Sequence, residues 1–95
     1  MPFTLPLPEP WRSRRWKVKI AEKERMEPPH VTIYHRSQRW RLALRGGEFL
    51  DPDPDPAEVP RDLVSVVREQ FPILRVEWDQ MYPHNPVSSK ESVHE

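Results

Sequence analysis

The stretch that decides the fold is Arg15-Trp16-Lys17-Val18-Lys19-Ile20, in which basic and apolar side chains alternate. Alternation with a period of two is typical of a half-buried β-strand. Residues 31–35 and 39–45 show the same alternation, and the intervening residues 36–38 have the length of a β-hairpin loop. The sequence therefore predicts three antiparallel strands, with residues 48–50 either continuing the third strand or forming a fourth.

Two apolar stripes at helical spacing follow in the second half of the chain. They consist of Leu63, Val66, Val67 and Phe71, and then of Leu74, Trp78 and Met81. Pro72 lacks the backbone donor that a continuous helix needs, so we expect a break there. The prediction is an α+β fold: a three- to four-stranded antiparallel meander with one face covered by a Pro-broken C-terminal helix pair.

The two ends of the chain differ in composition from the middle. Residues 1–10 contain four prolines, and residues 84–95 contain only two apolar side chains, both valines. Neither end offers much apolar surface to bury. We therefore predict a disordered Pro-rich N-terminus at residues 1–10, a single α+β domain at residues 11–83, and a disordered C-terminal tail at residues 84–95.

Several classes of protein are disfavoured by composition. The chain has no cysteine, which excludes disulfides, Cys-ligated metal sites and a thiol nucleophile. The N-terminus lacks the apolar core of a secretion signal, and no stretch approaches the roughly 18 apolar residues of a membrane span. We expect a cytoplasmic protein without a membrane partner. No cofactor or metal is expected, because there is no phosphate-binding glycine loop and the Asp-Pro repeat at 51–56, an acidic linker, lacks the spacing of a calcium loop.

Charge is distributed very unevenly along the chain. Residues 1–45 hold eleven Lys or Arg against four Asp or Glu, a balance of +7, and residues 46–95 hold four against eleven, a balance of −7. Strand parity puts most of the cations on the face opposite the apolar one, and residues 11–15 would extend that surface. The predicted nucleic-acid-binding residues are Arg15, Lys17, Lys19, Tyr34, Arg39, Arg41 and Arg45.

Two alternatives to nucleic-acid binding stay open for the basic face. It could be a solvated surface or a protein interface, since charged faces also prevent sheets from associating edge to edge. The acidic linker at residues 51–56 could also dock on the basic face and cover it.

The histidines offer a catalytic alternative. His30 and His35 should face opposite sides of a strand, so a metal site shared between them is not expected. A metal-free ribonuclease could use one of them, His30 above all, as general base, with an arginine stabilising the phosphate. A histidine at a strand entrance more often makes a structural hydrogen bond, so the sequence favours binding over catalysis.

Glu27-Pro28-Pro29-His30-Val31-Thr32-Ile33 resembles the Pro-Pro-His-Val-His-Val segment of a small bacterial family of unknown function. Its members are often encoded beside another small protein, in pairs that resemble toxin–antitoxin modules. The resemblance covers about residues 15–82 in element order and includes the late Glu77-Trp78 pair. It implies the β-then-α order, a bacterial cytoplasmic setting and a function through a partner protein. Together with the basic face, it predicts a non-enzymatic interaction domain that binds nucleic acid or a small protein encoded beside it. Thr32 stands where the family has its second histidine, so a site built on that histidine pair would be incomplete here.

Overall fold

A computed structural model describes residues 3–20 and 28–87. In chain order, the elements are β1 (Phe3–Thr4), β2 (Lys17–Ile20), β3 (His30–His35), β4 (Gln38–Ala43), a 3-10 turn (Pro56–Glu58), α1 (Arg61–Glu69) and α2 (Phe71–Met81). The strands form one antiparallel sheet in the order β1-β2-β3-β4. The predicted α+β meander with a C-terminal helix pair is confirmed.

The register of the sheet separates basic from apolar side chains. Residues directly opposite each other in an antiparallel pair project to the same face. On one face this gives two rows, Lys17–Tyr34–Arg39 and Lys19–Thr32–Arg41. The intervening row on the other face is Val18–Ile33–Trp40, all buried.

The apolar face of the sheet and the helices share one buried cluster. From the sheet it includes Val18, Val31 and Leu42, and from the helices Leu63 and Trp78, all without solvent exposure. Gln70 lies between the helices as the C-cap of α1 and the N-cap of α2, and Pro72 sits in the first turn of α2, where no backbone donor is required. Neither described helix has the length and apolar character needed to cross a membrane.

The N-terminal segment belongs to the fold, which corrects the prediction that residues 1–10 are disordered. β1 pairs with β2, and the Leu5 N–H donates to the Val18 carbonyl at 2.8 Å. Leu5 and Leu7 are only 5% and 7% exposed and join the core. Exposed prolines alternate with these leucines, so the segment behaves as an extended edge strand whose apolar side chains point inward. Residues 1–2 lie outside the described part of the chain.

The start of the predicted C-terminal tail is also ordered. Val87 is buried, and its N–H donates to the Asp79 carboxylate at 2.8 Å. The Arg45 guanidinium donates to two carbonyls of the same segment, at 2.8 and 3.0 Å. The prediction of a tail at residues 84–95 is therefore wrong up to Val87, and residues 88–95 lie outside the described residues.

Residues 48–50 return along the outer side of β4. The Ala43 N–H donates to the Glu48 carbonyl at 2.8 Å, and the Leu50 N–H donates to the Arg41 carbonyl at 2.9 Å. Gly47, with φ of 80°, lies in the turn that reverses the chain. This segment therefore pairs antiparallel with β4 instead of continuing it, and it delivers the acidic linker to the sheet.

Candidate nucleic-acid interface

A groove of about 760 Å³ lies at the end of the sheet where β2 begins and β3 ends. Its lining comes from the N-terminal segment, the turn before β2, β2 itself and the β3–β4 hairpin. Among the described residues that line it, none is an aspartate or a glutamate. Five of its lining residues are cations: Arg12, Arg15, Lys17, Lys19 and Arg36.

The groove gathers part of the surface expected from strand parity. Four of the seven predicted residues line it: Arg15, Lys17, Lys19 and Tyr34. Arg39 does not line the groove, but it is exposed and lies directly opposite Tyr34 on the same sheet face. Arg41 and Arg45 are engaged elsewhere, Arg41 with a carboxylate and Arg45 with backbone carbonyls near the C-terminus. Their guanidinium groups hold other segments of the chain, so a role of these two residues in the binding surface stays a prediction.

Arg41 and Asp51 form a bidentate ion pair on the basic sheet face. Its two nitrogen–oxygen distances are 2.8 and 2.7 Å, and both side chains are half-buried. Hydrogen bonds from Arg41 hold the pKa of Asp51 below its usual value. The positive charge of Arg41 lowers this pKa further, whereas partial burial of the carboxyl raises it. The linker thus contacts the basic face through Asp51, and none of its residues lines the groove.

We expect Asp51→Asn to lower the free energy of unfolding at pH 7 by up to about 1 kcal/mol, the size of a well-formed surface ion pair. A carboxylate whose folded-state pKa is lowered stabilises the fold above its unfolded pKa, near 4, and loses that effect as the pH falls through the folded value. The difference in the free energy of unfolding between wild type and variant should therefore be present at pH 7 and disappear as the pH falls below 4. Urea unfolding across this range measures it, with the exposed Asp53→Asn as control. A difference in the free energy of unfolding that stays constant with pH would contradict this expectation.

Arg15 occupies a backbone position that glycine usually takes. The Trp16 N–H donates to the Trp11 carbonyl and the Arg15 N–H to the Arg12 carbonyl, each at 3.1 Å. This pair of bonds is the Schellman motif, which closes a helical turn with one residue in the left-handed region. That residue is Arg15, with φ of 71°. Trp11 and Trp16 are both buried, at the two positions whose apolar contact often accompanies the motif.

Arg36 occupies a second position of this kind. His35 pairs with Gln38, so the hairpin loop is Arg36-Ser37, two residues and not the predicted three. Tight two-residue hairpins need positive φ at their first loop position and prefer glycine there. Arg36 has φ of 58°.

Within residues 3–20 and 28–87, Arg15 and Arg36 are the non-glycine residues with positive φ, and both line the groove. The left-handed region costs an L-amino acid roughly 1–2 kcal/mol relative to the right-handed one. Such conformations persist where the surrounding structure enforces them, often at functional sites. Backbone geometry favours glycine at both positions, so arginine there carries a conformational cost that glycine would not.

His30 lies in the core and does not line the groove. Its side chain is 0% exposed, its ring centroid is 5.5 Å from that of Trp78, and its Nδ1 donates to the Pro28 carbonyl at 2.9 Å. A general base must reach the proton that it removes, so a fully buried ring does not fit the ribonuclease role. It fits the structural hydrogen bond. In the described residues, no three His, Asp or Glu side chains are arranged to hold a metal ion.

Sequence reasoning missed three parts of the groove: Arg36, the Trp16–His35 ring pair and the apolar wall at Leu5–Leu7. The wall had a usable pattern, since leucine and proline alternate from residue 5 to residue 8. For Arg36 no pattern was available, because an arginine gives no sign that its backbone will be left-handed.

Comparisons of the chain with protein-family models, with curated proteins and with solved structures found no match. The resemblance of residues 27–33 to a bacterial family therefore stays a prediction, and the functional inference rests on the groove.

Proposed function

We propose that this domain binds nucleic acid through the groove and the adjoining basic face of the sheet. The observation that carries the proposal is a concave surface with five cations and no carboxylate among its described lining residues. Contacts between cations and phosphates supply most of the affinity of non-specific nucleic-acid binding. Arginine is well suited to them because its planar guanidinium can donate two parallel hydrogen bonds to one phosphate.

The side chains around the groove are available for such contacts. Arg15, Lys17 and Arg36 are exposed. Arg12 pairs with Glu9 at 3.2 Å, but both groups are exposed, and exposed ion pairs are weak enough for a phosphate to replace. Glu9 also accepts a hydrogen bond from the Ser13 N–H, and hydrogen bonds from Ser13 are the main cause of its lowered pKa. Glu9 thus has a structural role in the turn that carries Arg15.

The sheet face continues the basic surface beyond the groove. The cross-strand row Lys17–Tyr34–Arg39 leads away from it, and the Lys19 ammonium lies 5.7 Å from the centroid of the Tyr34 ring. A phosphate backbone can therefore follow the cations from the groove onto the sheet. The resemblance at residues 27–33 adds to this proposal a bacterial cytoplasmic setting. It also makes a small protein encoded nearby the alternative partner, whose acidic surface would meet the same cations.

The test is fluorescence anisotropy with labelled single- and double-stranded DNA and RNA across a salt series, comparing wild type with Arg15→Gly/Arg36→Gly. We expect binding to weaken steeply with salt. The slope of the logarithm of the binding constant against the logarithm of the salt concentration should be about −0.7 to −0.9 for each phosphate neutralised. The double variant should lose about 1.5 from that slope and bind at least about tenfold more weakly at low salt. It should be no less stable than wild type, because glycine relieves two left-handed positions.

Arg14→Gln is the matched control. Arg14 is exposed in the same turn as Arg15 but does not line the groove, so its removal should leave the slope near that of wild type. Urea unfolding of all three proteins separates lost binding from lost folding. The proposal would be wrong if wild type did not bind at low salt. It would also be wrong if Arg14→Gln and the double variant lost the same affinity and the same salt slope.

A further inference from the structure

We infer that the nucleic acid bound in the groove is single-stranded, with one base stacked on the ring pair of Trp16 and His35. This inference rests on the proposed function and specifies the form of its ligand. It comes from the aromatic and apolar part of the lining, which phosphate binding alone does not use.

The two rings form a stacked pair on which a base could stack. Trp16 and His35 lie parallel, with ring centroids 4.0 Å apart and 8° between their planes. Trp40, which is 2% exposed, has its ring centroid 5.8 Å from that of Trp16. Trp40 and Trp16 are buried, His35 is half-buried, and both Trp16 and His35 line the groove. Of the three rings, Trp40 is therefore the most buried, and His35 is the most accessible from the groove.

The rest of the lining suits a base as well as a phosphate. Leu5, Pro6 and Leu7 supply apolar surface, while Arg15 and Arg36 supply charge in the same groove. A nucleotide carries both properties, a flat base with little charge and an anionic phosphate one sugar away. Stacking of bases on aromatic side chains, with cations tracking the backbone, is how proteins bind single strands without sequence preference.

A duplex does not match this lining. Its bases are paired and stacked on one another, so its outer surface offers mainly phosphates and sugars to a shallow site. The groove volume of about 760 Å³ is in the range of small-ligand pockets and accommodates nucleotide-sized groups. The phosphates of a duplex could contact the cations, but its bases would not stack on Trp16 and His35.

The experiment compares three probes by anisotropy across a salt series; the two single strands carry similar charge, and the duplex carries about twice as much. They are an oligothymidylate of about ten nucleotides, an abasic strand of the same length, and a duplex of the same length. Wild type should bind the oligothymidylate about tenfold more tightly than the abasic strand, from the stacking of one base. His35→Leu, which keeps Trp16 covered but has no flat ring, should abolish this preference and leave the salt slope unchanged, whereas His35→Phe, which keeps a flat ring, should keep the preference.

The outcomes separate this inference from the proposed function. Equal affinity for all three probes with a steep salt slope would overturn the single-strand inference and leave nucleic-acid binding in place. A base preference that survives in a folded His35→Leu protein would show that the ring pair does not stack the base. Failure of all three probes, with binding of a polyglutamate peptide instead, would overturn both and identify an acidic protein as the ligand class.

Discussion

Replacing Leu5 and Leu7 together with alanine will lower the free energy of unfolding by at least about 4 kcal/mol, because each buried leucine truncated to alanine costs about 2–5 kcal/mol. The two side chains are 5% and 7% exposed and belong to the same core cluster as the sheet and helices. Domains of this size have a total stability of roughly 5–15 kcal/mol, so the variant should be close to unfolded at moderate temperature. Urea unfolding followed by tryptophan fluorescence measures the difference.

Pro6→Ser/Pro8→Ser is the control for this change. Both prolines are exposed in the same segment, so their replacement removes no buried surface. The expected loss is below about 1 kcal/mol per position, from the greater freedom of the unfolded chain. If the leucine variant were as stable as the proline variant, residues 3–10 would not be part of the fold, and the groove would lose one wall.

The N-terminal segment shows where sequence reasoning about the fold stopped. Alternation over five to seven residues predicted β2, β3 and β4, and the helical stripes predicted the helix pair, because burial on one face imposes those periods. The same period of two is present at Leu5 and Leu7, but the prolines beside them suggested disorder. Proline is compatible with an edge strand, where a missing backbone donor faces no partner. A proline-rich segment with apolar residues at alternate positions is therefore a candidate edge strand.

From the sequence, only the part of the candidate site that lies on one face of the sheet could be predicted. Parity tells which cations share a face, and Lys17, Lys19 and Arg39 do share it. It does not tell which cations other segments will bind. Arg41 is paired because the chain reverses and brings Asp51 back to the sheet, and Arg45 because the C-terminal segment packs beside it. These contacts depend on loop paths, which have no periodicity in the sequence.

Trp78→Ala will lower the free energy of unfolding by about 3–5 kcal/mol, the usual cost of removing a buried tryptophan. Trp78 is 0% exposed, with its ring centroid 4.3 Å from that of Tyr82, and its indole N–H donates to the Asn85 carbonyl at 2.7 Å. Trp78→Phe keeps part of the packing but loses this hydrogen bond, so an intermediate loss of about 2 kcal/mol is expected. Ile73→Ala on the same helix is the control, since Ile73 is 49% exposed and its loss should be within about 1 kcal/mol.

The same variants separate stability from binding. Trp78 does not line the groove, so Trp78→Phe, measured at a temperature where it is fully folded, should keep the wild-type salt slope for nucleic acid. Arg15→Gly/Arg36→Gly should show the reverse, with weaker binding and no loss of stability. A binding defect in folded Trp78→Phe would mean that the segment held by Trp78 and Arg45 at the C-terminus contributes to the interface. Loss of stability with unchanged binding would instead confine the interface to the groove and the basic sheet face.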